Sequence, residues 1–145
     1  MLSQLRVADL LERIGEKTPA PASGAATALT GALAAALAEL SARFTADDAG
    51  IARARELASE LVQLGDEDAA AYAAYLADQN DETRAETIRV PEEIARKADE
   101  VAELAERAAG KLRSSVSGDA KASAALARAA AGVARALAEL NRAES

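Results

Sequence analysis

Apolar residues recur along this chain at steps of three and four from its first residues to its last, the period of helices with one buried face. The densest stretch covers residues 25–38, where no charge appears. Leu29, Leu33, Leu37 and Leu40 follow there at spacings of four, four and three, and the positions between them are mostly Ala, Gly and Thr. A helix apolar on every side is a buried one, so this segment reads as the central post of a helical bundle. Its entry is stiff. Pro19 and Pro21 fix φ and exclude helix for the residues before them, and Ser23 and Gly24 stand at the position of an N-cap.

The same periodicity divides the rest of the chain. A first helix over residues 2–16 carries Leu2, Leu5, Leu10, Leu11 and Ile14 as one stripe. The central helix runs over 23–44, and a short turn at 45–48 offers Asp47 or Asp48 as the next cap. A long third helix over 48–78 keeps Ile51, Leu57, Leu61, Leu64, Ala71 and Tyr75 in step, with Gly65 as a candidate bend. After a turn at 79–81 a fourth segment starts near Glu82 and is cut by Pro91, which fits only a helix start or a kink. Ile94, Ala98, Val101, Ala105, Ala108 and Leu112 then form a seam. A loop at 114–118 leads to a last helix over 119–141, with a seam expected at Ala122, Leu126, Ala129, Val133, Ala136 and Leu140.

Five helices with short connections predict an all-α, up-and-down antiparallel bundle forming a single domain over residues 1–145. Alanine seams bury little area, and burial is worth about 25 cal/mol per Å². A homodimer or higher oligomer, with alanine faces packed across subunits, is therefore expected.

Composition narrows the function classes. Acidic residues outnumber basic ones by 24 to 17, for a net charge of −7. No basic stripe is visible, so nucleic acid is not an expected partner. The chain has no Cys and no His. That removes disulfides, a thiolate nucleophile, an imidazole base and an ordinary zinc site, and no metal is expected. Acid–base chemistry falls to carboxylates, Lys, Tyr or the substrate itself. The apolar run is shorter than the ~20 residues of a membrane span, and the first residues lack a signal layout. A soluble, cytoplasmic protein without membrane contact is the expectation.

Some residues are candidates for chemistry. The backbone N–H groups from Ser23 onward, at a helix start, can hold an anionic or carbonyl edge; a plain N-cap after a rigid turn is the other reading. Asp119 directly follows Gly118 and fits either an N-cap or an acid–base group. Asp68 and Tyr72 lie one turn apart on one helix face, where Tyr72 fits core or ligand platform. Arg43, beside Phe44, fits a ligand carboxylate or an exposed ion pair.

The run of Pro19-Ala20-Pro21, a small-residue turn and a helix of the form A-L-x-G-A-L-A-A-A-L resembles the cyclodeaminase/cyclohydrolase family. This is the C-terminal module of formiminotransferase-cyclodeaminase and its stand-alone bacterial relatives, including methenyl-tetrahydrofolate cyclohydrolases. Other pieces agree in order. Residues 65–72 look like the family's D-x-x-A-[FY] helix, and Val90-Pro91-Glu92-Glu93-Ile94-Ala95 looks like its proline-started fourth helix. Ser117-Gly118-Asp119 and the alanine-rich helix after it are similar to the family's loop aspartate and last helix, which closes near an asparagine, here Asn141.

The resemblance implies an all-helical, dimeric enzyme of folate one-carbon metabolism with a tetrahydrofolate derivative as substrate. It implies ring closure of formimino-tetrahydrofolate with loss of ammonia, or hydrolysis of methenyl-tetrahydrofolate. It places the turn of Pro21, Ala22, Ser23, Gly24 and Ala25 beside the folate and makes Asp119 the candidate catalytic acid–base group; the reading of the residues themselves adds Arg43, Asp68 and Tyr72 as candidate substrate contacts. The chain departs from the family pattern in three places, one of them the asparagine-rich loop before the aspartate, which here is Ser114-Ser115-Val116-Ser117. The turn that usually reads G-G-G-S is Ala22-Ser23-Gly24-Ala25, and the lysine-containing stretch after the central helix is Thr45-Ala46-Asp47-Asp48-Ala49. These departures motivate an alternative to the enzyme reading, a catalytically impaired member that binds a small molecule or serves as a helical oligomerisation or interaction protein.

Overall fold

Four long helices form the body of the protein, joined so tightly that each runs antiparallel to the next. The computed structural model describes residues 1–144. Within them the order is a 3-10 turn (Leu2–Gln4), α1 (Val7–Gly15), α2 (Ser23–Phe44), α3 (Asp48–Ala77), α4 (Asp81–Lys111) and α5 (Gly118–Ala143). No strand occurs among the described residues. The bundle is all-α as expected, and its helices lie close to the predicted positions. Asp47 caps α3 by accepting the Gly50 amide at 3.0 Å. Asn80 and Thr83 form a reciprocal capping box at the start of α4.

α2 touches α3, α4 and α5 and is the central element. Small residues make that possible. A Cβ on Gly31 would lie 3.3 Å from Leu61, and one on Gly65 would meet Ala28 at 3.4 Å. Gly65 therefore marks no bend; it is the point where α3 presses against the first turns of α2. The buried core is mainly alanine, filled out by Leu57, Leu61, Val90, Ile94 and Val101. The buried Ser123 hydroxyl donates to the Ala34 carbonyl at 2.7 Å and ties α5 to α2. Ion pairs lace the outer surfaces, such as Lys97 with Glu60 at 2.7 Å and Arg128 with Asp99 at 3.1 Å.

The structure corrects further expectations. The first helix is split, because Asp66 Oδ1 accepts the Leu2 amide at 2.7 Å and pins the first residues to α3. α1 starts only at Val7, and none of its residues is buried. Pro91 neither starts nor cuts a helix: α4 continues through it. The predicted α5 seam faces outward. Ala122, Leu126, Ala129, Val133, Ala136 and Leu140 are all exposed, and Ala120, Ser123, Ala127, Ala130, Ala131, Ala134 and Ala138 are inside. Helix α2 follows the same rule, with Leu33 67% and Phe44 59% exposed while its alanines and glycines are buried. Close helix approach admits only small side chains, so the smaller of two apolar stripes turned inward.

At 22 residues α2 is also long and apolar enough to cross a membrane by length and composition, contrary to the sequence estimate. More than half of its apolar window is buried inside the bundle, which accounts for its composition as a core helix.

Candidate functional site

Where the proline turn enters α2, a cavity of about 240 Å³ opens between the start of α2, the end of α5 and the flanks of α3 and α4. One wall is the turn itself, with Pro19, Ala20, Ala22, Ser23 and Gly24. Asp68 and Tyr72 of α3 form the second, and Thr87 and Pro91 of α4 the third. Leu137, Leu140, Asn141 and Glu144 close it from the end of α5.

Each wall has a local cause. The N-cap of α2 is Ala22, not Ser23, and no side chain caps the helix. The first intrahelical bond goes from the Ala26 amide to the Ala22 carbonyl, so the Ser23, Gly24 and Ala25 amides have no intrahelical acceptor. They sit at the positive end of a 22-residue helix. Gly24 is required by what lies on it: a Cβ there would fall 1.9 Å from Asp68 Oδ2. The Asp68 carboxyl thus rests on the first turn of α2. Burial pushes its pKa above the ordinary aspartate value, and among the described residues no arginine or lysine forms an ion pair with it.

The floor is held by a substitution of one donor for another. Pro91 has no N–H to give to the Thr87 carbonyl four residues back. Asn141 Nδ2, reaching over from α5, donates to that carbonyl at 2.7 Å. The asparagine that closes the last helix therefore completes α4 at its proline and fixes the end of α5 beside the cavity.

Arg84 lies at the far edge, in a small cleft shared with Tyr72, Tyr75, Thr87, Asn141 and Glu144. Its Nη2 donates to the Arg142 carbonyl at 2.5 Å, and its buried Nε has no partner among the described residues. Among the described residues no group of three or more carboxylates is disposed to hold a metal.

Of the residues singled out from sequence, Ala22, Ser23, Gly24, Asp68 and Tyr72 converge on this cavity. Pro21 and Ala25 belong to the same turn, flanking the lining residues. Arg43 and Asp119 are elsewhere. Arg43 is exposed and pairs with Glu39 at 2.7 Å, roughly 28 Å from Gly24 along α2 at about 1.5 Å per residue. Asp119 is exposed in the first turn of α5, whose N-cap is Ser117, at the same far end. Sequence reasoning missed Arg84 and Thr87. The signal for Thr87 was its place four residues before Pro91; Arg84 carried none.

The fold and cavity define a class: an alanine-rich, all-helical bundle with a part-buried carboxyl and open helix amides lining one cavity. The sequence profile of formiminotransferase-cyclodeaminase matches residues 6–144, and the chain belongs to that family. Among solved structures it is similar to the crystal structure of formiminotetrahydrofolate cyclodeaminase from Thermotoga maritima. The TM-score is 0.92 at 21% identity, over 99% of this chain and 81% of that one. At that identity the likeness speaks for the fold. No curated protein matches. Family and fold together point to folate-dependent cyclodeaminase chemistry.

Proposed function

We propose that this chain is a soluble, cytoplasmic cyclodeaminase that closes the ring of formimino-tetrahydrofolate to the methenyl form and releases ammonia, working as a homodimer without a metal. The observation that carries this reading is the placement of the Asp68 carboxyl over the uncapped start of α2, inside a cavity of about 240 Å³. Ring closure forms one C–N bond, from a nitrogen to the formimino carbon carried by another nitrogen of the same molecule, and breaks the bond from that carbon to the departing ammonia. It therefore asks the protein mainly for positioning and for a proton carrier, and a carboxylate serves in a chain without histidine. The tyrosine and apolar walls suit a flat ring, and the open amides of α2 suit a carbonyl or anionic edge.

The dimer reading rests on the outward stripes of α2 and α5. Leu33, Leu40 and Phe44 on one helix and Leu126, Val133 and Leu140 on its neighbour leave large apolar side chains exposed on two helices that pack together. Exposed apolar patches mark interaction sites. Leu140 belongs both to this face and to the cavity wall. Two copies paired head to tail across it would bring the far end of each, with Arg43 and Asp119, toward the cavity of the other. In this proposal those two residues act only from a second copy.

The test is ammonia release from formimino-tetrahydrofolate by the purified protein, read beside the rise of methenyl absorbance. Both signals growing in proportion to protein are expected. Loss of methenyl-tetrahydrofolate absorbance without any ammonia-producing activity would replace this reading with the hydrolytic one.

A further inference from the structure

We propose that Arg84 reads the acidic end of the substrate, gripping a carboxylate of the aminobenzoyl-glutamate tail where that tail leaves the cavity. The inference rests on the folate substrate of the cyclodeaminase reading. It goes beyond that reading by naming the group that tells a glutamate-bearing folate from the bare ring system. The sequence offered Arg43 for a ligand carboxylate, and within one chain Arg43 is far from the cavity and paired with Glu39.

Charge points to Arg84. A folate tail ends in two carboxylates. The titratable side chains lining the cavity are Asp68, Tyr72 and Glu144, so nothing in its walls carries a full positive charge, and the two carboxyls repel an anion. Arg84 is the one cation lining the small cleft next to it. Tyr72, Thr87, Asn141 and Glu144 line both spaces, so cavity and cleft share a boundary.

Arg84 is also anchored with donors to spare. Its Nη2 donates to the Arg142 carbonyl at the end of α5, where the negative end of a helix favours a cation. That contact fixes the guanidinium and uses one of its five N–H donors. Its Nε is buried without a partner, and it forms no ion pair among the described residues although Glu144 lines the same cleft. Arg89, Arg128 and Arg142, by contrast, are all paired with carboxylates. A buried donor without an acceptor is costly, and the guanidinium fork matches the two oxygens of a carboxylate. The cleft measures about 10 Å³, room for one water-sized group. A carboxylate enters as Glu144, exposed beyond the end of α5, turns out to solvent. Tyr72 and Tyr75, three residues apart on α3, flank the cleft and offer aromatic faces to the benzoyl ring. The ring end of the substrate stays with the open amides of α2, so Arg84 acts on binding and takes no part in bond making.

The experiment measures, by calorimetry, the Kd of 5-formyl-tetrahydrofolate and of 5-formyl-tetrahydropteroate, the same ring system without glutamate. It uses the full chain as wild type, Arg84→Gln and Arg84→Lys, with a melting curve of each. Wild type is expected to prefer the glutamate-bearing ligand by about 10- to 100-fold, and by less at high salt. Arg84→Gln is expected to bring that preference to within about threefold of unity, with pteroate affinity within about threefold of wild type. Arg84→Lys keeps the charge without the fork and is expected to hold an intermediate preference. An unchanged preference in Arg84→Gln overturns the proposal; if that variant does not fold, an unchanged preference in Arg84→Lys does so. Equal weakening of both ligands, or no preference in wild type, overturns it too, since Arg84 then serves only the end of α5. Ammonia release from formimino-tetrahydrofolate keeps the two readings apart. An Arg84-dependent preference without ammonia removes the cyclodeaminase activity and leaves this assignment standing; ammonia release without that preference does the reverse. A wild type that binds neither ligand overturns both.

Discussion

Asp68 pays a stability penalty for its position, and the sign of that penalty can be checked without substrate. Burial raises its folded-state pKa above the unfolded value. The protonated form is therefore the one the folded protein favours. Its contribution is fully present below the ordinary carboxylate pKa of about 4, and it is lost as pH rises through the raised value. At neutral pH the folded chain holds a charge it would rather not hold. Asp68→Asn, neutral and of the same shape, is expected to melt above wild type at pH 7, with the gap closing toward pH 3. Melting curves of the pair at both pH values decide it; an Asn variant less stable at pH 7 would contradict the desolvated carboxyl. Asp68 was visible in sequence as one turn from Tyr72. Its contact with Gly24 was not, because 44 positions separate the two and helix packing alone joins them.

Helix α4 shows how one element can depend on another for its own hydrogen bonds. Proline in a helix interior costs about 3 kcal/mol or more, partly through the bond it cannot make. Here the Thr87 carbonyl still has a donor, supplied by Asn141. Asn141→Ala is expected to destabilise the protein by about 1–3 kcal/mol, the cost of leaving a part-buried acceptor unpaired. In a Pro91→Ala background, where the backbone amide gained at that position restores the internal bond, the same change is expected to cost clearly less. A double-mutant cycle in urea measures that coupling, and additive losses would show that Asn141 does not serve the proline. The periodicity of α4 after Pro91 was read correctly from sequence, since Ile94, Ala98, Val101, Ala105 and Ala108 are all buried. The helix boundary was misplaced because the compensating donor sits 50 residues further on.

The molecule as a whole leaves its larger apolar side chains unsatisfied. Its inner seams are alanine and glycine, while Leu33, Leu40, Phe44, Leu126, Val133 and Leu140 face out on α2 and α5. α1, with Val7 and Leu11 exposed and no residue buried, adds a second unpartnered stripe. Nine residues make a helix too short to be stable alone in water, so α1 also gains from a covering surface. If the α2–α5 face is the subunit contact, Leu33→Glu should convert a dimer to a monomer at micromolar concentration, read by light scattering. The helical circular dichroism should be retained, because Leu33 contributes little to the monomer core. A wild-type monomer, or a Leu33→Glu dimer, would remove this face from the assembly.

Periodicity, alanine content and the paired prolines before α2 were enough to specify an all-α bundle, the limits of α2, α3 and α5 and the turn that opens α2, while Pro91 misled the reading of α4. These are local properties: each depends on residues within a turn or two of one another. They also placed Ser23, Gly24, Asp68 and Tyr72 among the candidates. Packing decided the rest. Two apolar stripes compete on α2 and on α5, and periodicity does not say which one turns inward; interhelix distance does, and it chose alanine over leucine. The same packing carried Asp68 onto Gly24, brought Asn141 to Thr87, and left Arg43 and Asp119 at the opposite end of the bundle. Contacts between distant positions follow from how helices stack, and no stretch of sequence contains that information locally.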